Sequence, residues 1–156
     1  MKKTLILLLC LLSFSVIQAQ TPLFNKIKTL LQEQYPAIDV SDKLIAYNTW
    51  QLEDASTREK NEDFDKAHKI YHRAKLKGGT KGIVVVSVLT NGSLATAKTT
   101  LAYDGCLMLI PLDFGDLRKE LTGAPQNMVF DAEGQEVYRN LEAGQVAASI
   151  NKLITR

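Results

Sequence analysis

The chain has 156 residues, with 19 Lys and Arg against 17 Asp and Glu and a formal net charge of +2 at pH 7. This length is enough for one domain. Because the positive and negative charges are nearly balanced, the composition indicates neither a nucleic-acid-binding protein nor one that binds a charged membrane surface.

The first residues predict export. Lys2 and Lys3 precede an apolar run over residues 5–12, and the small and polar stretch "IQAQ" follows. This pattern is typical of a secretory signal peptide, here residues 1–19 with cleavage after Ala19. The run is shorter than the roughly 20 residues of a membrane span, so no stable membrane anchor is expected. The alternative is a lipoprotein anchor at Cys10, although Leu9 is large for that position.

The two cysteines predict a protein without an internal disulfide. Cys10 lies in the predicted signal peptide, and Cys106 is then the only thiol of the exported chain. One cysteine cannot form a disulfide within the chain. Stability must therefore come from a hydrophobic core, which ~135 residues are able to supply.

After the signal peptide the residue pattern alternates between helix and strand. Residues 21–36 have apolar residues at helical spacing and stop at Pro36, and residues 57–76 also read as a helix. Apolar runs predict strands at "KLIAYNTW" and "IVVVSVL". Shorter signals follow in chain order: a helix in "LATAKTTLAYDG", an apolar run "CLMLIPL", a helix in "DFGDLRKELTG", a hairpin in "QNMVFDAEGQEVYRN" and a terminal helix in "EAGQVAASINKLI".

This order predicts an α/β fold. The strand "IVVVSVL" is apolar throughout, which indicates burial on both faces and hence a parallel or mixed sheet covered by helices. Alternating helices and strands followed by a hairpin fit a three-layer α/β/α domain with a central mixed sheet. On the long helix, the expected buried face comprises Phe64, Ala67, Ile70, Tyr71 and Ala74.

Three segments carry a resemblance to a known family: "LIAYNTW" with "QLEDASTREKN", "GIVVVSVLTNG" and "LTGAPQNMVFDAEGQEV". They resemble the exported TlpA-like thiol–disulfide oxidoreductases of the thioredoxin-like superfamily. The match spans residues 42–156, preceded by an N-terminal helical extension over residues 20–41. Trp50 matches the Trp at the end of a strand, Arg58 matches the basic residue after the cysteine motif, and Pro125 matches the family's cis-proline.

The resemblance implies a lost redox pair, because Asp54 and Thr57 stand where the family has its two cysteines. Thiol–disulfide exchange needs one thiol to attack and a second to resolve the mixed disulfide. We therefore expect a redox-inactive binding or structural module of the cell envelope, with no catalytic residues and no cofactor. The alternatives are an oxidoreductase acting through Cys106 and an acid–base catalyst using Asp54.

The resemblance also implies where a partner would bind. The cleft between the motif turn and the proline loop would hold an extended peptide or a segment of an envelope protein. Its residues would be Trp50, Asp54, Ser56, Thr57, Ala124 and Pro125. The competing interpretation is that Asp54, Ser56 and Thr57 only cap a helix, with Glu59 completing a capping box, and that Trp50 is buried, which would leave no usable groove.

Two other groups are candidate sites. Asp65, His68 and His72 are spaced so that they could hold a metal on one helix face, but we expect a solvated charged face and no metal. Cys106 opens an apolar run, which favours a buried and inert thiol over a reactive one. The sequon at Asn91 is expected to form a turn.

Overall fold

The protein is described by a computed structural model that covers residues 21–154. The predicted signal peptide, residues 1–19, lies outside the described residues. Between residues 21 and 154 no helix is both long and apolar enough to span a bilayer.

The described chain alternates helices and strands in the predicted order, and residues 77–79 add a 3₁₀ turn. The helices are α1 (Pro22–Gln34), α2 (Ala55–Tyr71), α3 (Leu94–Tyr103), α4 (Phe114–Leu121) and α5 (Val146–Asn151). The strands are β1 (Leu44–Trp50), β2 (Ile83–Leu89), β3 (Ile110–Pro111), β4 (Asn127–Phe130) and β5 (Glu136–Arg139).

The strands form one mixed sheet in the order β3-β2-β1-β4-β5. β1 runs parallel to β2, with Leu44 opposite Ile83 and Trp50 opposite Leu89. β2 is parallel to β3, whereas β4 is antiparallel to both β1 and β5. The predicted mixed sheet with a terminal hairpin is confirmed.

Each face of the sheet carries its own hydrophobic cluster, because side chains alternate along β1. Ala46 and Trp50 belong to the cluster that includes residues of α2, α3 and α5. Ile45 and Tyr47 belong to the opposite cluster, with residues of α1 and α4. This arrangement confirms the three-layer α/β/α architecture.

The long helix differs from its prediction at both ends. α2 begins at Ala55 and ends at Tyr71, so Ala74 lies beyond it. Ile70, expected on the buried face, is 61% exposed. Ile70 follows Phe64 by six residues, and positions that far apart do not share the stripe formed by spacings of three, four and seven.

The backbone at Gly82, just before β2, lies very close to the backbone at the end of α2. Gly82 has a φ of +96°, and a Cβ there would lie 2.1 Å from the carbonyl oxygen of His72. Only a residue without a side chain permits both this backbone conformation and this approach. This close approach brings the start of β2, the strand that pairs with β1, against the end of α2.

Candidate functional site

The turn that precedes α2 is organised by Asp54. Its Oδ1 accepts hydrogen bonds from the backbone N–H of Ser56 at 3.0 Å and of Thr57 at 3.3 Å, and from the Ser56 hydroxyl at 2.8 Å. Asp54 is therefore the N-cap of α2. Ser56 is already the second residue of the helix, so it is not the N-cap of a capping box with Glu59. These hydrogen bonds hold the pKa of the Asp54 carboxyl below its usual value, and the bond from the Ser56 hydroxyl has the largest effect.

Thr57 also points its hydroxyl into the turn. Thr57 Oγ1 accepts from the backbone N–H of Gln51 at 3.1 Å and donates to the backbone carbonyl of Asp54 at 3.1 Å. The third residue of α2 thus ties the helix start to the end of β1. Both positions that match the family's cysteines carry oxygen atoms already used in local hydrogen bonds.

Trp50 is buried, with 1% of its surface exposed. Its Nε1–H donates to the hydroxyl of Ser87 at 2.8 Å. The possibility of a partly exposed Trp50 anchoring a partner is therefore wrong for this structure, because the indole is buried in the cluster that includes residues of α2, α3 and α5. The burial half of the competing interpretation is confirmed, together with the cap at Asp54.

A buried polar network lies beneath the turn, and sequence reasoning missed it. Asn61 Oδ1 accepts from Asn48 Nδ2 at 2.9 Å and from Ser87 Oγ at 3.2 Å. Asn48 Oδ1 and Asn61 Nδ2 have no hydrogen-bond partner within the described residues. The available signal was a polar residue at a buried position of each of two largely apolar strands, Asn48 in β1 and Ser87 in β2.

The loop before β4 reaches the same end of the sheet. The hydroxyl of Tyr47 donates to the carbonyl of Pro125 at 2.7 Å, and Thr49 N–H donates to the carbonyl of Gln126 at 2.9 Å. From α2, Lys60 Nζ donates to Gln126 Oε1 at 2.8 Å. The Asp54–Thr57 turn and the 124–126 loop therefore both lie at the carboxyl end of β1.

The peptide bond between Ala124 and Pro125 is trans, so the cis bond implied by the resemblance is wrong: no peptide bond within residues 21–154 is cis. The trans form is intrinsically favoured before proline by about 0.5–1 kcal/mol. With this geometry two carbonyls of the loop, those of Pro125 and Gln126, accept hydrogen bonds from β1. Ala124 and Pro125 remain partly exposed.

The surface around the helix start is acidic. A depression of about 370 Å³ is lined by Glu53, Glu59 and Glu62 together with Arg58 and Asp104. Arg58 forms two hydrogen bonds to the Asp104 carboxylate, at 2.7 and 2.6 Å, which raise the pKa of its guanidinium. Because Asp104 neutralises the one cation, the depression presents negative charge.

Cys106 is buried, as expected for an inert thiol, with 3% of its surface exposed. It follows α3, where its backbone N–H donates to the carbonyl of Leu101 at 2.9 Å. Burial, and secondarily the charges of Asp65 and Asp104, raise the pKa of the thiol to about 12. At neutral pH the group is therefore protonated, and a protonated thiol is neither a nucleophile nor a metal ligand.

The three metal-ligand candidates point in different directions. His68 is buried, which corrects the expectation that it faces solvent, and burial lowers its pKa to about 4. Asp65 Oδ1 accepts from the backbone N–H of Met108 at 2.7 Å, and His72 Nδ1 lies 3.0 Å from the carbonyl of Lys69. Within the described part of the chain, no group of three His, Cys, Asp or Glu is placed to hold a metal ion.

No protein-family model and no curated protein matches the chain. Solved structures do match. The thioredoxin domain of a thiol-disulfide oxidoreductase from Bacteroides vulgatus has a TM-score of 0.57 and 18% identity, over 75% of this chain and 83% of that one. A thiol:disulfide interchange protein from Bacteroides sp. has the same TM-score and identity, over 72% and 73%.

A more distant structure agrees. StoA from Bacillus subtilis has a TM-score of 0.52 and 11% identity, over 70% of this chain and 83% of that one. Identities this low establish the fold alone. The chain therefore has a thioredoxin-like α/β fold, and the part of it that the structure describes contains a single cysteine.

Proposed function

We propose that the protein is an exported thioredoxin-like module that binds an extended peptide or another protein of the cell envelope, and that it does not exchange disulfides. The observation that carries this proposal is the start of α2. There Asp54 caps α2 and Thr57 uses its hydroxyl in local hydrogen bonds, at the two positions matched to the cysteine pair. Export rests on the signal-peptide pattern of residues 1–19.

The chemistry supports a non-catalytic role. Disulfide exchange passes through a mixed disulfide, which neither a carboxylate nor a hydroxyl can form. Cys106 offers only one thiol, buried and with a raised pKa. An exchange mechanism through Cys106 would need this thiol exposed and deprotonated, whereas burial and the charges of Asp65 and Asp104 outweigh the opposing charge of Lys66 on its pKa.

The proposed binding site is the groove formed by the Asp54–Thr57 turn and the Ala124–Pro125 loop. A peptide can pair with exposed backbone without any nucleophile in the protein. The lowered pKa of Asp54 keeps it negatively charged at neutral pH, and Glu53 and Glu59 lie nearby. The groove therefore favours a basic or neutral segment.

The redox part of the proposal is tested by an insulin-reduction assay with dithiothreitol as electron donor. The unmodified protein should not exceed the background rate, and a rate typical of a dithiol oxidoreductase would overturn the proposal. An active preparation of a thioredoxin serves as the positive control.

Restoring two cysteines tests the match of positions. Asp54→Cys with Thr57→Cys should form a disulfide under mild oxidant, because the N-cap and the third residue of one helical turn lie within the Cα separation of about 4.4–6.8 Å that disulfides require. Free-thiol counting by mass spectrometry is the measurement. Asp54→Ser with Thr57→Ser is the control, and a pair that stays reduced would show that the positions are not equivalent to the family's cysteines.

The groove is tested by Ala124→Arg, which places a long charged side chain on its partly exposed rim. Trp50 is unsuitable for this test because its truncation would open the core. A partner cross-linked from an envelope extract by the parent protein should be lost with Ala124→Arg and kept with Ala148→Arg, a matched change at an exposed position of α5. Equal recovery by both variants would exclude the groove.

A further inference from the structure

A cationic cleft lies at the opposite end of the parallel strands from the start of α2. It has a volume of about 780 Å³, and five basic side chains line it. They are Lys43, Arg73, Lys75, Lys77 and Lys81. Lys43 immediately precedes β1 and Lys81 lies just before β2, so the cleft opens at the amino ends of the two central strands.

The backbone, rather than ion pairing, shapes this cleft. Lys75 and Lys81 pair as an antiparallel bridge, and Leu76 N–H donates to the carbonyl of Thr80 at 2.9 Å. Lys77 N–H donates to the carbonyl of Leu153 at 2.6 Å, which fastens the loop to the end of the described chain. Arg73, Lys75 and Lys77 therefore project from a segment that backbone hydrogen bonds hold in place.

Most of the positive charge in the cleft is not neutralised. Lys81 Nζ lies 3.6 Å from Asp42, and Lys43 Nζ donates to the carbonyl of Lys81 at 2.8 Å. Asp39 also approaches these two lysines. Arg73, Lys75 and Lys77 form no ion pair with any described residue, so three like charges face one concave surface.

We propose that this cleft binds an acidic segment of a polypeptide. A concave site of this size suits an inserted chain better than a flat bilayer, and clefts that hold ligands are typically about 300–1,000 Å³. A Cβ added at Gly78 or Gly79 would meet no atom within 4 Å, so both glycines leave room for a ligand backbone beside the cations. The aliphatic stems of the lysines supply apolar walls between the charges.

This proposal does not depend on the groove at the start of α2, which is acidic and lies at the other end of β1. The two sites would select partners of opposite charge. Loss of binding at one site therefore leaves the other site unaffected. A negative result in the cross-linking test of the groove does not predict the result of the binding test of the cleft.

The test uses fluorescein-labelled octaglutamate as the probe and fluorescence anisotropy as the measurement. Arg73→Gln with Lys75→Gln and Lys77→Gln removes the unpaired charges at exposed positions. We expect the Kd to rise by roughly 3- to 150-fold, since three charge contacts of roughly 0.2–1 kcal/mol each are lost. Affinity of the parent should fall as salt rises from 50 to 300 mM, because exposed charges are screened.

A matched triple variant controls for net charge. Lys66→Gln with Lys98→Gln and Lys119→Gln removes the same charge from exposed positions elsewhere and should change the Kd less than about twofold. Equal weakening by both triple variants would overturn the proposal, since binding would then follow net charge alone. Binding to phosphatidylglycerol vesicles without binding to octaglutamate would also overturn it, in favour of a membrane surface.

Discussion

His68 shows what burial does to a single titratable group. It lies on the inward side of α2, and its Nδ1 has no hydrogen-bond partner among the described residues. Burial is the largest cause of its lowered pKa, and positive charge on His72 acts in the same direction. The neutral imidazole is therefore the form that the folded protein accommodates.

His68 should make stability depend on pH. Its pKa is about 4 in the folded protein against an ordinary value of 6.5, so the unfolded chain binds more protons between these values. The free energy of unfolding should be fully retained above pH 6.5 and fall by on the order of 3 kcal/mol as the pH drops to 4. Urea midpoints at pH 7 and pH 4.5 measure the effect.

The variants that isolate this effect are His68→Gln and His72→Gln. His68→Gln should flatten the pH dependence over this window, because it removes the group whose pKa differs between the two states. His72→Gln should keep most of the dependence. An unchanged slope in His68→Gln would show that other groups cause the acid sensitivity.

At the scale of elements, the start of α2 is held by contacts with three other parts of the chain. Thr57 contacts the residue after β1, Lys60 contacts Gln126 before β4, and Arg58 contacts Asp104 after α3. These contacts hold the exposed Asp54–Thr57 turn in one position relative to the sheet. The turn is therefore held in place by the fold itself, without any ligand.

The Arg58–Asp104 pair should stabilise the fold measurably. The side chains are 33% and 15% exposed and form a two-point contact, a geometry in which ion pairs retain more of their strength. A double-mutant cycle with Arg58→Met and Asp104→Asn should give a coupling energy of about 1 kcal/mol in urea unfolding.

The Lys81–Asp42 pair provides the matched comparison. Its side chains are 73% and 64% exposed and its atoms lie 3.6 Å apart, so its coupling energy should be close to zero. Equal coupling in the two pairs would contradict the claim that partial burial and geometry make the Arg58 contact stronger.

At the scale of the whole molecule, two clusters on opposite faces of one sheet hold the domain together. α1 belongs to one of them through Phe24, whose ring meets that of Phe130 edge-on with centroids 5.6 Å apart. Trp50 belongs to the other. The sheet separates the clusters, and its central strands contribute side chains to both.

Truncation of Phe24 should therefore destabilise the entire domain. Phe24→Ala is expected to lower the free energy of unfolding by about 3–5 kcal/mol, the range for a buried aromatic residue. Fluorescence of Trp50, the only tryptophan, reports the transition from the opposite cluster. Phe114→Ala, at a partly buried position, should cost less. A Trp50 transition unaffected by Phe24→Ala would show that α1 unfolds independently.

Sequence reasoning predicted the elements whose signals are local. β1 and β2 were readable because their sequences are largely apolar, and the cap at Asp54 because short polar residues favour helix starts. β3 was not delimited within its apolar run, since only Ile110 and Pro111 pair with β2. That pairing depends on the position of a distant strand.

The site was less predictable because its contacts join distant residues. The burial of Trp50 depends on Ser87, 37 positions away, and Asn48 meets Asn61 across the interface between β1 and α2. A single sequence does not reveal such pairings. The cis bond at Pro125 was expected from resemblance alone, and the hydrogen bonds of its loop are made with a trans bond.

The arrangement of charge along β1 has an electrical consequence. Glu53 and Asp54 follow the strand and Lys43 precedes it, so the acidic depression and the cationic cleft lie at opposite ends of seven residues, roughly 20 Å apart. Opposite charges of the described residues are therefore concentrated at the two ends of the central strands, and they set up a field along these strands. A charged partner would be oriented by this field as it approaches, so that many encounters begin in a productive alignment. At physiological ionic strength the screening length is about 8 Å, so each end would then act on an approaching charge almost independently of the other.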